Sequence, residues 1–395
     1  MARDVDSAFR QWSDAARAVS IADVCDERGF RLFGRGAKRK GPCPHCDGYD
    51  RFDINADKGV WFCRQCHPKA GDVIDLVMWL DDCDFLAAVE ILTGQAPPKG
   101  QGHRLSDAEL AAREQERADR RRAQDLEAEK YRERERRLVF RWWEKALSPR
   151  GTIVERYLSH RGLSLPRGAR LRLEPAAQLF ADNKSGAAVV HTGPAMFAAV
   201  TGRDGLFSAL HMTWIDLADE DGKARVPDPE TGEFLPAKKV RGSQRGGRIE
   251  LVRHPSPRRL YMGEGIETTL SVYDDLREAG RDISDAAFWA GINLGNIGGP
   301  HDGTVAHPVK KDRGNRPVRV PGPVPKGDGI PIPDSVDEVI LLGDGDSDPF
   351  LTEQTFARAA ARWARPGRVI RTAMAPEGTD FNTLRRARLR AREFA

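Results

Sequence analysis

Apolar residues recur at helical spacing at the start of the chain, and short strand-like runs follow them. The first pattern predicts a helix that begins at Ser7 and a second short helix opened by Ser20, a residue type that often caps helices. Short alternating runs with turns between them predict strands. Two further helical patterns end at Gly94. We therefore expect a small domain of helices and short strands over residues 1–97.

The apolar stripe is almost lost between residues 105 and 137, where Ala, Glu, Arg, Asp and Gln dominate. A segment with this composition favours a solvated helix or a flexible charged connector, because it has no apolar face to bury. We therefore interpret residues 98–148 as a charged helical linker.

Short alternating apolar runs separated by Gly and Asp turns fill residues 149–256, and they predict a basic, strand-rich subdomain. Over residues 257–383 strands and helices alternate, an order that favours a mostly parallel sheet. Residues 384–395 form a basic tail. The predicted fold class is multidomain α/β.

Composition and charge exclude several classes of protein. A chain of 395 residues with 40% hydrophobic and 31% charged residues is long enough for two or three domains. It has no apolar run of the roughly 18 residues that a membrane span needs, and no apolar signal core, so we expect a cytoplasmic protein without a membrane partner. The 63 basic and 59 acidic residues leave a net charge of only +4, which does not establish a nucleic-acid partner.

Four of the six cysteines form two Cys-x-x-Cys pairs separated by 16 residues: Cys43 with Cys46, and Cys63 with Cys66. This spacing is typical of a tetrahedral zinc site built from two knuckles. Four thiolates saturate zinc and leave no position for a catalytic water, so we expect a structural zinc ion. Cys25 and Cys83 lie in partly apolar helical contexts and are expected to be packing residues.

The residues around these cysteines resemble the zinc-ribbon domain of bacterial and phage DNA primases. The resemblance covers roughly residues 20–95 and includes Gly41-Pro42-Cys43-Pro44-His45-Cys46, Gly59-Val60-Trp61-Phe62-Cys63 and Gly71-Asp72-Val73-Ile74-Asp75. In that family the ribbon reads single-stranded template, a task suited to aromatic faces with cations nearby. The resemblance implies template contacts by Arg51, Trp61 and Arg64. Because side chains alternate along a strand, either Trp61 or Phe62 could instead belong to the ribbon core.

Acidic residues follow two predicted strands of the α/β region. Glu264 lies between two glycines, and about eighty residues later come Asp344, Asp346 and Asp348. Acids beyond the carboxyl ends of parallel strands face the crevice where such sheets bind ligands. Carboxylate oxygens are the ligands that Mg²⁺ prefers, so this edge is a candidate site for Mg²⁺ or Mn²⁺.

This arrangement resembles the Toprim domain, which bacterial-type primases share with topoisomerases and some nucleases. Glu264 matches the glutamate motif, Asp344-x-Asp346 matches the paired aspartates, and residues 376–382 are similar to the closing segment of the primase version. The resemblance implies that Glu264, Asp344 and Asp346 are catalytic and bind magnesium, with Asp348 as a supporting ligand.

One position departs from the family pattern. Cellular primases commonly carry an aspartate four residues after the motif glutamate, whereas this chain has Thr268 there and Glu267 before it. The number of catalytic cations and their affinity therefore stay open.

A Gly-rich basic run precedes the glutamate motif and contains Lys238, Lys239, Arg241 and Arg245. Such a run is usually a solvated face. Its position nevertheless resembles the basic subdomain with which primases guide template across the catalytic face, so these residues are candidate nucleic-acid contacts.

Together these features predict a DNA primase, a nucleotidyltransferase that joins ribonucleoside triphosphates into short RNA primers on single-stranded DNA. The chain has no P-loop motif, so a replicative helicase would act in trans. The phage-like ribbon points to a phage, plasmid or mobile element. Two alternatives stay open: a Toprim nuclease acting on DNA or RNA, and a non-catalytic single-stranded-DNA-binding accessory protein, which Thr268 leaves possible.

Overall fold

The computed structural model describes residues 2–34, 36–45, 47–98, 107–183, 186–229, 232–311, 315 and 317–393. Along the chain it divides into two compact units between Glu133 and Arg134, within a long helix. The bounds of the five segments proposed from the sequence stay predictions.

The first unit contains short helices around a small sheet. Its elements are α1 (Ala2–Arg17), α2 (Ile21–Glu27), β1 (Lys38–Cys43), β2 (Asp47–Asn55), β3 (Val60–Cys63), β4 (His67–Gly71), α3 (Val73–Asp81), α4 (Phe85–Thr93) and the first part of α5 (Asp107–Lys145). The strands pair antiparallel in the order β1-β2-β3-β4. Phe52, Trp61 and Leu76 are wholly buried between this sheet and the helices.

Local signals account for the helix ends in this unit. Ser20 caps α2 as predicted, because its hydroxyl accepts a hydrogen bond from the Asp23 amide. Asp72 opens α3 through a reciprocal capping box with Asp75. The prediction that Ser7 caps the first helix was wrong, since α1 already begins at Ala2.

The charged segment forms one continuous helix, α5, over most of the predicted linker. Its last turns belong to the second unit, where Val139 and Trp143 are buried in the core. An apolar face thus returns where the sequence regains Val, Phe and Trp.

The second unit contains the remaining elements. They are α6 (Ile153–His160), β5 (Leu171–Asn183), β6 (Gly186–Thr201), β7 (Phe207–Trp214), β8 (Val226–Pro227), β9 (Phe234–Leu235), β10 (Lys238–Gly242), β11 (Arg248–Val252), β12 (Arg259–Gly263), α7 (Ile266–Glu278), β13 (Ala286–Ala290), α8 (Leu294–Gly298), β14 (Thr304–Lys311), β15 (Pro317–Pro321), β16 (Glu338–Gly343), α9 (Pro349–Trp363), β17 (Val369–Met374) and α10 (Phe381–Glu393).

One nine-stranded mixed sheet organises this unit. Its order is β10-β7-β6-β11-β13-β12-β16-β17, and β5 also pairs with β6. Strands β13, β12, β16 and β17 run parallel to one another, as predicted, whereas β5, β6, β7, β10 and β11 pair antiparallel. Because β11 pairs with β13, the strand-rich and α/β regions share a sheet. The α/β fold class is confirmed, and the carboxyl ends of β12, β16 and β17 meet at one edge.

No helix in the described part of the chain combines the length and apolar character needed to cross a membrane.

Candidate metal and nucleic-acid sites

Three of the four predicted zinc ligands meet in the first unit. The Sγ atoms of Cys43, Cys63 and Cys66 all lie within 4.8 Å of one another, and those of Cys43 and Cys66 are 3.4 Å apart. Cys46 lies outside the described residues. Thiolates are the ligands that zinc favours in a closed structural site, so the residues present fit a zinc ion.

The other two cysteines have the character of packing residues. Cys25 is buried in α2, and burial, reinforced by nearby Asp26, raises the pKa of its thiol to about 12. Burial also raises the pKa of Cys83. A raised pKa disfavours the thiolate, which is the form that binds a metal.

Trp61 is one of several aromatic rings packed beside the cysteine cluster. The Trp79 ring stacks on His45 at 3.9 Å and lies 4.6 Å from the Trp61 ring. Trp61 is 0% exposed, and its indole Nε1 donates a hydrogen bond to the Asp72 carbonyl at 3.1 Å. The prediction that Trp61 stacks on template bases is therefore wrong for this conformation. Alternation along β3 turns Trp61 and Cys63 inward and leaves Phe62 half-buried.

The two predicted arginine contacts of the ribbon are largely engaged within the protein. Arg51 is only 8% exposed. The Arg64 Nε lies 3.1 Å from the Asp53 carboxylate, and its side chain is 38% exposed. Arg64 is thus the more accessible of the two, and its role in template binding stays a prediction.

The predicted catalytic acids emerge at one edge of the large sheet. Glu264 follows β12 and Asp344 follows β16, which are neighbouring parallel strands paired through Gly263 and Leu342. The chain after β17 closes against the same edge, because the Gly345 amide donates to the Thr379 carbonyl at 2.8 Å. Any side chain at position 345 would meet the Pro376 carbonyl at 2.1 Å, so this close approach requires glycine.

The fold raises the pKa of Asp344. Burial raises its pKa to about 6, and the neighbouring carboxylates of Asp380 and Asp346 act in the same direction. The Thr268 hydroxyl donates to both Asp344 oxygens, at 3.0 and 3.1 Å, and opposes part of this shift. Thr268, the residue that departs from the family pattern, thus contacts Asp344 directly.

Asp380 is an acid that the sequence analysis did not single out. It lies in residues 376–382, the segment matched to a primase motif, but only the folded chain brings its charge near Asp344. Among the described residues, no three carboxylates have oxygens that all lie within 4.8 Å of one another. The hard oxygen donors and mutual repulsion of the acids at this edge nevertheless suit a divalent cation.

Asp348 has other partners. Its carboxylate caps α9 by accepting from the Leu351 amide at 2.9 Å, and it pairs with Lys310 and with His307 Nε2, the latter at 3.1 Å. Burial by itself would raise the pKa of Asp348, but these hydrogen bonds lower it to about 2. The structure thus gives Asp348 an anchoring role, and its role as a magnesium ligand stays a prediction.

Lys238 belongs to a buried ion cluster centred on Glu267. The carboxylate of Glu267 lies 3.0 Å from Lys238 Nζ and 3.1 Å from Lys223 Nζ, and it accepts a 2.6 Å hydrogen bond from the Tyr157 hydroxyl. Burial alone would raise the pKa of Glu267, but the two lysines and Tyr157 hold it well below its usual range. Glu267 directly precedes Thr268, the residue that contacts Asp344, along α7.

The remaining residues of the basic run differ in their surroundings. Lys239 Nζ donates to the Phe180 carbonyl at 2.8 Å. Arg241 lies 2.9 Å from the Glu135 carboxylate, and its guanidinium carbon is 4.7 Å from the centre of the Trp142 ring. Arg245 is exposed. The run is therefore only partly a solvated face, and its contact with nucleic acid stays a prediction.

Glu267→Ala is expected to lower the free energy of unfolding of the second unit by about 3–5 kcal/mol, because two lysines would lose their buried counter-charge. Urea unfolding measures this change, and Glu353→Ala, at an exposed position of α9, should cost about 0.5 kcal/mol or less. A pKa held below its ordinary value stabilises the fold above about pH 4, so this contribution should fade as the pH falls further. A loss under about 1 kcal/mol at neutral pH would contradict the cluster's structural role.

Two segments of the chain match known family models. Residues 38–74 match the model of the zinc-binding domain of primase-helicase, and residues 133–251 match a domain of unknown function, DUF7146. The first match confirms the resemblance of the cysteine region to primase ribbons.

Solved primases align with the chain at low similarity. The Aquifex aeolicus primase, with zinc-binding and RNA polymerase domains, is 14% identical over 96% of this chain and 84% of its own, with a TM-score of 0.33. A Pseudomonas aeruginosa DNA primase domain is 15% identical over 65% of this chain and 77% of its own, with a TM-score of 0.34. The primase fragment of the bacteriophage T7 primase-helicase is 14% identical over 90% of this chain and 96% of its own, with a TM-score of 0.31.

These low scores do not establish a shared function. The family match and the cysteine geometry agree on the first unit. The chain therefore carries an N-terminal zinc ribbon of the primase-helicase type, followed by a DUF7146 domain.

Proposed function

We propose that the protein is a DNA primase that synthesises short RNA primers on single-stranded DNA by metal-dependent nucleotidyl transfer. The observation that carries the proposal is the match of residues 38–74 to the primase-helicase zinc-binding domain. The acids at the edge of the large sheet support it, because they form a group suited to phosphate chemistry in the same chain.

The acidic edge supplies the groups for nucleotide joining. Glu264, Asp344, Asp346 and Asp380 would hold Mg²⁺ or Mn²⁺. Such a cation lowers the pKa of an attacking hydroxyl and neutralises a triphosphate. Thr268 orients the Asp344 carboxylate through its two hydrogen bonds. Glu264 is an alternative general base at this edge.

The ion cluster of Lys223, Lys238 and Glu267 supports nucleotide binding in this proposal. Lys223 and Lys238 together carry one more positive charge than Glu267 neutralises, so the cluster keeps a net positive charge. A fixed positive charge attracts the triphosphate of an incoming nucleotide without the cost of ordering a flexible side chain. Arg245, which is exposed, adds to this field.

The wider setting of the proposal follows from the sequence. Ribonucleoside triphosphates are the substrates, a replicative helicase acts in trans, and the protein works in the cytoplasm on the DNA of a phage, plasmid or mobile element. A non-catalytic DNA-binding role is a second candidate. It is favoured by Thr268, which stands where cellular primases commonly carry an aspartate.

Incubation with a library of single-stranded templates, labelled ribonucleotides and Mg²⁺ or Mn²⁺ tests the proposal, with products sized on a gel. We expect short, template-dependent ribonucleotide products. A parallel reaction with labelled DNA and no nucleotides detects cleavage. Cleavage without synthesis would favour the Toprim nuclease, and DNA binding without either reaction would favour the accessory protein.

A further inference from the structure

The segment between α8 and β16 forms a basic hairpin. Strands β14 and β15 pair antiparallel, with Thr304 opposite Pro321. Over residues 301–327 the sequence carries six basic residues against two acidic ones: Lys310, Lys311, Arg313, Arg316, Arg319 and Lys326 against Asp302 and Asp312.

Side chains of β14 anchor the hairpin to the start of α9. His307 is 7% exposed, and its Nδ1 accepts from the amides of Val309 and Lys310, at 3.1 and 2.9 Å. The other ring nitrogen, Nε2, is therefore placed to donate to Asp348 at 3.1 Å. Lys310 pairs with the same carboxylate.

Two arginines of α9 hold the root of the hairpin. Arg358 is 1% exposed and donates to the carbonyls of Gly322, at 2.5 Å, and Gly299, at 3.1 Å. Arg362 donates to the Pro300 carbonyl at 2.5 Å. Burying a charged guanidinium costs free energy, and the burial of Arg358 is tolerated because backbone carbonyls accept its hydrogen bonds. The hairpin is therefore fastened along α9 at both its strand and its root.

This fastening places the hairpin beside the candidate catalytic edge. Helix α9 begins at Pro349, directly after the segment that contains Asp344 and Asp346. Outside its anchors the hairpin faces solvent. Val309 is 79% exposed, and Lys311 and Lys326 are also exposed. A rigid basic element at this edge suits a polyanion, because little conformational entropy is lost on binding.

We propose that the β14–β15 hairpin and its root bind the phosphodiester backbone of a nucleic-acid strand at the acidic edge. The phosphate contacts are Lys311, at the end of β14, and Lys326, in the segment that follows β15. The identity of that strand, as template or as primer–template duplex, rests on the proposed function. Exposed lysines bind phosphates by releasing condensed counterions, so the contacts are independent of sequence and sensitive to salt.

The test compares two double charge reversals in the full chain. Lys311→Glu/Lys326→Glu changes the hairpin, and Arg258→Glu/Arg281→Glu changes exposed arginines at the opposite edge of the same sheet, where β12 begins and α7 ends. Fluorescence anisotropy with labelled DNA over a salt series gives affinity and its salt dependence. We expect the hairpin variant to lose at least about tenfold in affinity and its logarithmic salt slope to become shallower by about 1 to 2. The control variant should stay within about twofold of the original affinity.

Two DNA probes distinguish the possible strands: a single-stranded oligonucleotide and a primer–template duplex. A loss for either probe supports the proposal and identifies the strand that the hairpin contacts. Unchanged affinity and slope for both probes, with thermal unfolding confirming the fold, would overturn it. Because binding is the readout, a protein that binds DNA through the hairpin but makes no primers would refute the proposed function alone.

A second variant tests the anchor separately from the phosphate contacts. His307→Ala removes the ring that donates to Asp348 but keeps every lysine of the hairpin. We expect weaker DNA binding with an unchanged salt slope, since the same phosphates are contacted by a less rigid element. Unchanged affinity in this variant would refute the role of the anchor in DNA binding.

Discussion

Asp344→Asn and Asp346→Asn are each expected to lower primer synthesis by at least about 100-fold, a loss typical of removing one preorganised charge-stabilising group. Folding and single-stranded DNA binding should persist, because neither carboxylate holds two elements together by an ion pair that the structure shows. Primer synthesis, DNA affinity and the thermal midpoint are measured with and without magnesium.

Stability and activity should move in opposite directions at Asp344. Its pKa of about 6 lies above the ordinary value, so ionisation destabilises the fold. This penalty is absent below about pH 4, grows as the pH rises to about 6, and reaches on the order of 3 kcal/mol above that. Without divalent cations, Asp344→Asn should therefore raise the thermal midpoint at neutral pH and leave it little changed at pH 4.

Glu353→Gln is the matched control, since it removes an exposed carboxylate from α9 and should leave synthesis and stability close to their original values. Retained synthesis in either aspartate variant would refute the catalytic assignment. Collapse of the fold in both variants would instead show that these acids are structural.

Cys63→Ser is expected to abolish zinc binding and to unfold the ribbon while the second unit stays folded. Structural zinc contributes an apparent 10–16 kcal/mol in small zinc domains, roughly the whole stability of such a domain. The second unit has its own buried cores and should retain its thermal transition. Elemental analysis gives the zinc content, and circular dichroism follows the unfolding.

The same substitution at a cysteine outside the cluster provides the control. Cys83→Ser alters a half-buried thiol in the same unit and should leave the zinc content at one ion per chain. Full zinc content in Cys63→Ser would contradict the assignment of Cys63 as a ligand.

The sequence by itself determined those features whose signal is local. Two Cys-x-x-Cys pairs bring two thiolates together at each knuckle, so a shared metal site follows from spacing alone. The alternation of strands and helices predicted parallel strands, and parallel strands place the residues that follow them at one edge. Glu264 and Asp344 could therefore be assigned to the same edge before the structure was known.

The tertiary structure decided which partners each side chain has, because those partners are distant along the chain. Glu267 pairs with Lys238, which lies 29 residues away in sequence, and with Tyr157, which lies 110 residues away. Arg241 pairs with Glu135, which lies 106 residues away. A local pattern of basic residues carries no information about such pairings, so it indicates a more open surface than the structure has.

The same reason explains Trp61, Asp348 and Asp380. Alternation along β3 left open whether Trp61 or Phe62 faces inward, and packing against Phe52 and Trp79 decided it. Asp348 is adjacent to the acidic motif in sequence, but its carboxylate is hydrogen-bonded to His307, which lies 41 residues earlier. Asp380 is far from Asp344 in sequence, and closure of the chain after β17 brings their charges together. Motif spacing thus determined the kind of chemistry, whereas long-range packing decided which residues are placed to perform it.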